Sequence, residues 1–237
     1  HRDLHSFPTR RSSDLIIVAG KSDPENNPHA MTLCVVERGM EGFERGRNLD
    51  KMGLKAQDTA ELFFNNVIIP KENILGEPGH GFFYLMQGLA EERLIAATGS
   101  IANARHAFNL TRDFVMERKV FGKPLSYMQN TQFKMAEMDA EIEVLETFVD
   151  VLVARHNEGN LTVNVAAKAK LQASEIEWKM LDLGVQLHGG SGYMKEYPIC
   201  EMFTSARINR ILAGSSEIMK LIIGRDIFSE NYNSNLD

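Results

Sequence analysis

Four short stretches of this 237-residue chain place side chains that could do chemistry. Glu91-Glu92 stand directly before Arg93, and a carboxylate held in the right setting can move a proton. Arg118-Lys119 could hold an anion, the arginine through two parallel hydrogen bonds. Gly189-Gly190-Ser191-Gly192 leaves backbone amides open to close approach. Ser215-Ser216-Glu217 follows Gly214 and opens a helical pattern, where unpaired amides favour anionic groups. Each stretch also has a plainer reading. The two glutamates would be a solvated pair, because Glu is almost never fully buried without a partner. Arg118-Lys119 suits the C-terminal end of a helix dipole. The glycines follow a helical pattern and not a strand, so they do not make a GxGxxG dinucleotide fingerprint, and a helix stop explains them. Beyond residue 15 no two histidines stand in HxH or HxxxH spacing, and Cys34 and Cys200 have no CxxC partner. Neither a metal site nor a disulfide framework is expected.

Composition narrows the classes further. Hydrophobic residues make up 43% and charged residues 24% of the chain, which excludes collagen, a coiled-coil rod and wholesale disorder. The 26 basic and 32 acidic residues leave a net charge of −6. That balance argues against nucleic acid or an anionic membrane as partner. The longest apolar runs, such as Leu221–Ile223, fall far short of the roughly 20 residues that cross a bilayer. A soluble protein of a reducing compartment, not secreted, is the expectation.

The elements that must position these residues change texture along the chain. Residues 1–15 match nothing that follows and lack the apolar stretch of a signal peptide. The run SFPTRRSSDL looks like translated sequencing-adapter DNA, the alternative being a natural basic leader. Residues 16–75 read as antiparallel strands and turns: 16–19, 32–36, 61–64 and 67–69 are apolar or β-branched, with a polar, proline-containing loop between the first two. From residue 76 to 230 the pattern is helical, with stretches over 79–118, 128–156, 162–188 and 199–208, and a last one after Gly214. Residues 231–237 read as a polar tail. Strands followed by helices favour an α+β fold, here mainly α.

Taken together the segments say more than each alone. KMGLKAQDTAELFFNNVIIPKENILG, GFFYLMQGLAEERLIAA, ERKVFGKPLSYMQNTQFKMAEM, QLHGGSGYMKEYPI and LAGSSEIMKLIIGRDI resemble the acyl-CoA dehydrogenases, in order and spacing, from about residue 16 to 228. The resemblance implies part of an antiparallel β-domain followed by an up-down helical bundle of that type. It implies a C-terminal fragment, without the N-terminal helical domain and the earlier β-strands. It implies FAD, an acyl-CoA substrate, an electron-transfer flavoprotein as electron acceptor, and a homo-oligomer, a dimer of dimers. The compartment would be a bacterial cytoplasm or a mitochondrial matrix.

The resemblance also assigns residues. Many members carry a catalytic glutamate just before the glycine that precedes the last helix; that position here is Ala213, which cannot take a proton. Long-chain and isovaleryl types carry the base on the first bundle helix, directly before an arginine, and that residue is Glu92. Glu91 is the next candidate, and the helix turns about 100° between them, so the two cannot face one cleft. Arg93 would serve position or charge balance. Phe83, Ala90, Glu91, Ala213 and Gly214 would line the acyl pocket. Arg118, Gln129, Gln186, Leu187, His188, Gly189, Gly190, Ser215, Ser216 and Glu217 would contact FAD. The implied reaction is α,β-dehydrogenation of a long-chain acyl-CoA. The alternatives are the same reaction on short branched or medium chains, or a non-catalytic family member.

Overall fold

The computed structural model describes residues 13–23 and 25–230, with the backbone alone at 28 and 29. The expected tail and the leader up to residue 12 lie outside the described residues. Leu15, counted with the leader above, opens strand β1 (Leu15–Asp23) and pairs with Glu37 of β2 (Asn27–Glu37). The two strands are antiparallel, with Val18 opposite Cys34 and Lys21 opposite Met31. Most of the polar stretch expected to be a loop is therefore strand, because ladder pairing satisfies backbone groups whatever the side chains are. β3 (Phe43–Asn48) pairs antiparallel with β4 (Ala60–Phe64), and the Phe43 and Phe64 rings stack 5.1 Å apart across the pair. β5 (Ile74–Leu75) joins β2.

One expected strand is absent, and both β3 and the two-residue β5 were missed. Residues 67–69 take no ladder: Asn66 turns left-handed before them (φ 51), Ile68 is 87% exposed, and Pro70 has no N–H to give. β3 reads FERGRN, too polar to show a strand pattern; its pairing with β4 makes it one.

The helices stand close to where periodicity puts them: α1 (Gly81–Glu117), α2 (Gln129–Asn157), α3 (Val163–His188), α4 (Pro198–Ala206) and α5 (Ser216–Ile227). Thr162 and Ser215 cap α3 and α5 by accepting from the amides of Val165 and Ile218. After α1, β6 (Lys119–Val120) and β7 (Lys123–Pro124) make a small hairpin.

Contacts group the chain into two units that divide at Gly88 and Leu89, inside α1 and not at its start. The reason is local. His80 bridges Met31 of β2, and the Tyr84 hydroxyl accepts from the Glu77 amide, so the first turns of α1 pack with the strands.

In the second unit α3 lies at the centre. It sends Ala169 and Ala173 into a cluster with Leu94 and Ile101 of α1 and Leu145, Val149 and Leu152 of α2. Met180 meets Ala104, Met138 and Ile142. Leu181 meets Ala107, Ile199 and Ala206, and Leu171 meets Met219 of α5. The small residues on α1 and α3 let the helices approach, and the larger side chains of α2 fill the space. Leu152 is fully buried in this core. Truncating it in Leu152→Ala is expected to cost about 2–5 kcal/mol of stability through lost burial and the cavity left behind, measured by denaturant unfolding.

Candidate active site

A cleft of about 330 Å³ opens in the second unit where α1 ends. Phe114 and Arg118 line it from α1, Val120 and Leu125 from the hairpin and the turn after it, and residues 186–191 from the end of α3. Gly189 and Gly190 have nothing within 4 Å of where a Cβ would stand, so their backbone faces open space. His188 forms the inner wall: its ring stacks on Phe114 at 4.2 Å and its Nδ1 lies 2.7 Å from the Gly184 carbonyl. A carbonyl only accepts, so Nδ1 carries the proton. Burial holds the His188 pKa down, against that same hydrogen bond. The Gly189 amide closes α3 by donating to the Gln186 carbonyl, so what the cleft offers an anion is the Arg118 guanidinium beside glycine backbone that no side chain screens.

The carboxylates of α1 part company. Glu91 reaches toward His156 of α2, 3.9 Å away, with both side chains partly in water. Among the described residues no hydrogen bond or ion pair engages the exposed Glu92; its field falls on Arg93. Arg93 is 3% exposed, and its Nε and Nη1 have no acceptor among the described residues. Burial pulls the Arg93 pKa down, and only Glu92 opposes it. Buried donors without acceptors are costly, which marks this spot as one built for something besides packing.

A second group of polar residues lies on α3. Glu177, fully buried, accepts from Asn103 at 2.7 Å and from Asn209 at 2.8 and 3.1 Å. Glu175 grips Arg210 through Nε and Nη2, both at 2.9 Å, and takes the Ser216 hydroxyl at 2.7 Å. Lys170 donates to the Gly214 carbonyl at 2.8 Å. These contacts hold the segment in which Ala213 and Gly214 both turn left-handed, at φ 54 and 93. At φ 93 a side chain at 214 would be strained, which favours glycine there; the nearest atom it would meet, the Met219 methyl at 2.6 Å, is the movable end of a flexible chain.

Residues 79–228 match the family of the acyl-CoA dehydrogenase C-terminal domain. This chain belongs to the acyl-CoA dehydrogenase family. It is 45% identical over 221 residues to the long-chain specific acyl-CoA dehydrogenase of Mus musculus mitochondria, covering 92% of this chain and 51% of that protein. Isovaleryl-CoA dehydrogenase of Solanum tuberosum is 32% identical over 219 residues, covering 92% and 53%. The crystal structure of an acyl-CoA dehydrogenase from Geobacillus kaustophilus superposes with a TM-score of 0.89 at 44% identity, covering 92% of this chain and 58% of that one. The chain spans about half the length of the curated relatives it matches.

Within this chain the expected flavin contacts fall in three places. The cleft gathers Arg118 with Gln186, Leu187, His188, Gly189 and Gly190. Gln129, the first residue of α2, is exposed and outside the cleft lining, and Ser215, Ser216 and Glu217 are at the start of α5. There the Ser215 hydroxyl caps the helix and the Ser216 hydroxyl is held by Glu175. The Glu217 carboxylate is kept below its usual range, first by its own amide and then by the Ser215 hydroxyl. Of the expected acyl-pocket residues, Ala90, Glu91, Arg93, Ala213 and Gly214 lie in the second unit, while Phe83 is an exposed residue of the first. Sequence reasoning missed Phe114, Val120, Leu125 and Ser191 as lining residues. Phe114 and Leu125 read as ordinary apolar positions, and only the fold brings them to the glycines.

Sequence reasoning also missed the α3 polar group, since a charged residue within a helical pattern gives no local sign of burial. Burial drives the Lys170 pKa down to about 8 from 10.5, Glu175, Glu217 and Glu177 pulling it up and Arg93 pushing it further down. Burial raises the Glu177 carboxyl, with the Asn209, Asn103 and Ser100 hydrogen bonds opposing. For Lys170 the linkage has a definite sign. The folded chain sheds the proton near 8 while the unfolded chain holds it to about 10.5. Between those values the unfolded state binds more protons, so the residue's share of stability rises with pH. Unfolding titrations at about pH 7.5 and about pH 9.5 are expected to show wild type gaining stability relative to Lys170→Met as pH rises. A constant difference would refute the shift.

Proposed function

We propose that this chain carries the base, part of the acyl pocket and a flavin-binding cleft of an FAD-dependent acyl-CoA dehydrogenase acting on long chains, with Glu92 as the base. The observation that carries this reading is a complementary pair. Ala213 cannot take a proton at the position before Gly214, and Glu92 stands directly before Arg93 on α1. Two features of the geometry support it. Glu91 leans to His156, leaving Glu92 uncommitted. Arg93 keeps two buried donors free for an oxygen acceptor.

The residues present fit a flavin nucleotide through the cleft. Arg118 would bind its diphosphate, the side-chain-free backbone of Gly189 and Gly190 would let it approach, and the Phe114–His188 stack gives the cleft a firm wall. The flavin, when bound, supplies the acceptor for the hydride that leaves the β-carbon. The chain's own part is proton chemistry: a Glu92 carboxylate oxygen takes the proton α to the thioester carbonyl. The electrons would pass to an electron-transfer flavoprotein, and the assembly would be a homotetramer. The 45% identity to a long-chain enzyme, against 32% to an isovaleryl enzyme, favours a long-chain substrate.

The protein expressed from its complete gene should purify yellow and bleach when mixed with a long-chain acyl-CoA. Glu92→Gln is expected to keep FAD and lower turnover by about 10²–10⁴-fold, the usual contribution of a general base. Activity that survives this change and is lost in Glu91→Gln or Glu217→Gln would reassign the base. Arg118→Ala should release FAD at dilutions where wild type keeps it, read from the flavin absorbance of the filtrate; equal retention would remove Arg118 from the cofactor site.

A further inference from the structure

Helix α3 buries an ammonium that the proposed reaction does not use. Lys170 is 1% exposed. A lysine stays inside only where a partner replaces its water, and Lys170 donates to the Gly214 carbonyl at 2.8 Å. Gly214 precedes the serine that caps α5, so its carbonyl lies outside the hydrogen-bonding ladder of that helix. The segment is anchored on both sides of this point. Glu177 holds Asn209, and Glu175 holds Arg210 and Ser216. Lys170 alone among these α3 side chains grips the left-handed pair itself.

That pair needs holding. Ala213 has φ 54, a region a residue with a Cβ occupies only where its surroundings over-determine it. Lys170 also feels Arg93 of α1, Glu217 of α5, and Glu175 and Glu177 of its own helix, so the charge sits among groups from three helices. A charged donor makes a stronger hydrogen bond to a carbonyl than a neutral one, and a buried carbonyl left without its donor carries its full desolvation cost.

We propose that Lys170 is a positioning residue: by donating to the Gly214 carbonyl from inside the bundle it fixes the Ala213–Gly214 turn, and with it the length of acyl chain admitted beside that turn. The link to chain length rests on the reaction proposed above. The positioning role does not.

The test compares wild type, Lys170→Met, which removes the donor, and Lys170→Arg, which keeps a charged one. All are made from the complete gene and loaded with FAD. Amide hydrogen exchange over residues 211–218 should rise about tenfold or more in Lys170→Met, with the α1 core amides near Ala104 unchanged, and return toward wild type in Lys170→Arg. The chain-length profile of kcat/KM should shift in Lys170→Met and recover in Lys170→Arg, while FAD content holds. Where Lys170→Met does not accumulate, Lys170→Gln, a neutral donor of shorter reach, is read in the same way. Unchanged exchange over 211–218 overturns the proposal whether or not the protein turns over acyl-CoA. Lower kcat with the same chain-length profile overturns the link to specificity. Absence of flavin bleaching in wild type, with the exchange difference intact, overturns the proposed reaction and leaves the positioning role standing.

Discussion

The helical unit depends on α3 keeping a polar face dry. Lys170 and Glu177 are buried as deeply as the methionines and leucines around them. Charged groups in that position are stable only with their hydrogen-bond partners in place, and removal of one partner strands the other. The partners come from outside the helix: Asn103 from α1 and Asn209 from the turn after α4 for Glu177, Gly214 from the approach to α5 for Lys170, and, for the neighbouring Glu175, Arg210 of that turn and Ser216 at the start of α5. Apolar packing brings these elements together without direction. The hydrogen bonds decide how the segment 209–216 lies on α3.

This division of labour bears on chemistry. Proton abstraction tolerates little error in the distance between a carboxylate and a carbon acid. α1 is suited to carry the proposed base because it is a continuous helix whose alanines sit in the core against α2 and α3. The turn at Ala213 and Gly214 is not a regular element, so it needs the α3 contacts to hold its shape. The cleft at the end of α1 follows the same rule: irregular backbone at Gly189–Gly190 is set between a long helix and a stacked aromatic pair.

Much of the fold was legible because helical periodicity survives packing. Ile142, Leu145, Val149 and Leu152 of α2 form the buried stripe their spacing implies. The strands were less legible, since ladder hydrogen bonds ignore side-chain polarity. Lys21 and Asn27 became strand by pairing, and Val67–Ile69 stayed unpaired despite their β-branching. The cleft was half legible: Arg118 and the glycine run stand out as residue types, while Phe114 and Leu125 do not. Lys170 and Glu177 were invisible as a site, because a charged residue on a helix is normally solvated.

The order of blocks along the chain carried the family, the helix boundaries and the pairing of a vacant position 213 with a glutamate at 92. These depend on residue type and spacing, which the chain states directly. The tertiary structure decided which polar groups are dry. Burial is set by what packs around a side chain from distant parts of the chain, so no local pattern reveals it. That is why Glu91 and Glu92, neighbours of the same type, end with different surroundings. It is also why an ordinary-looking lysine at 170 lies at the centre of the unit, holding the turn that α5 begins from.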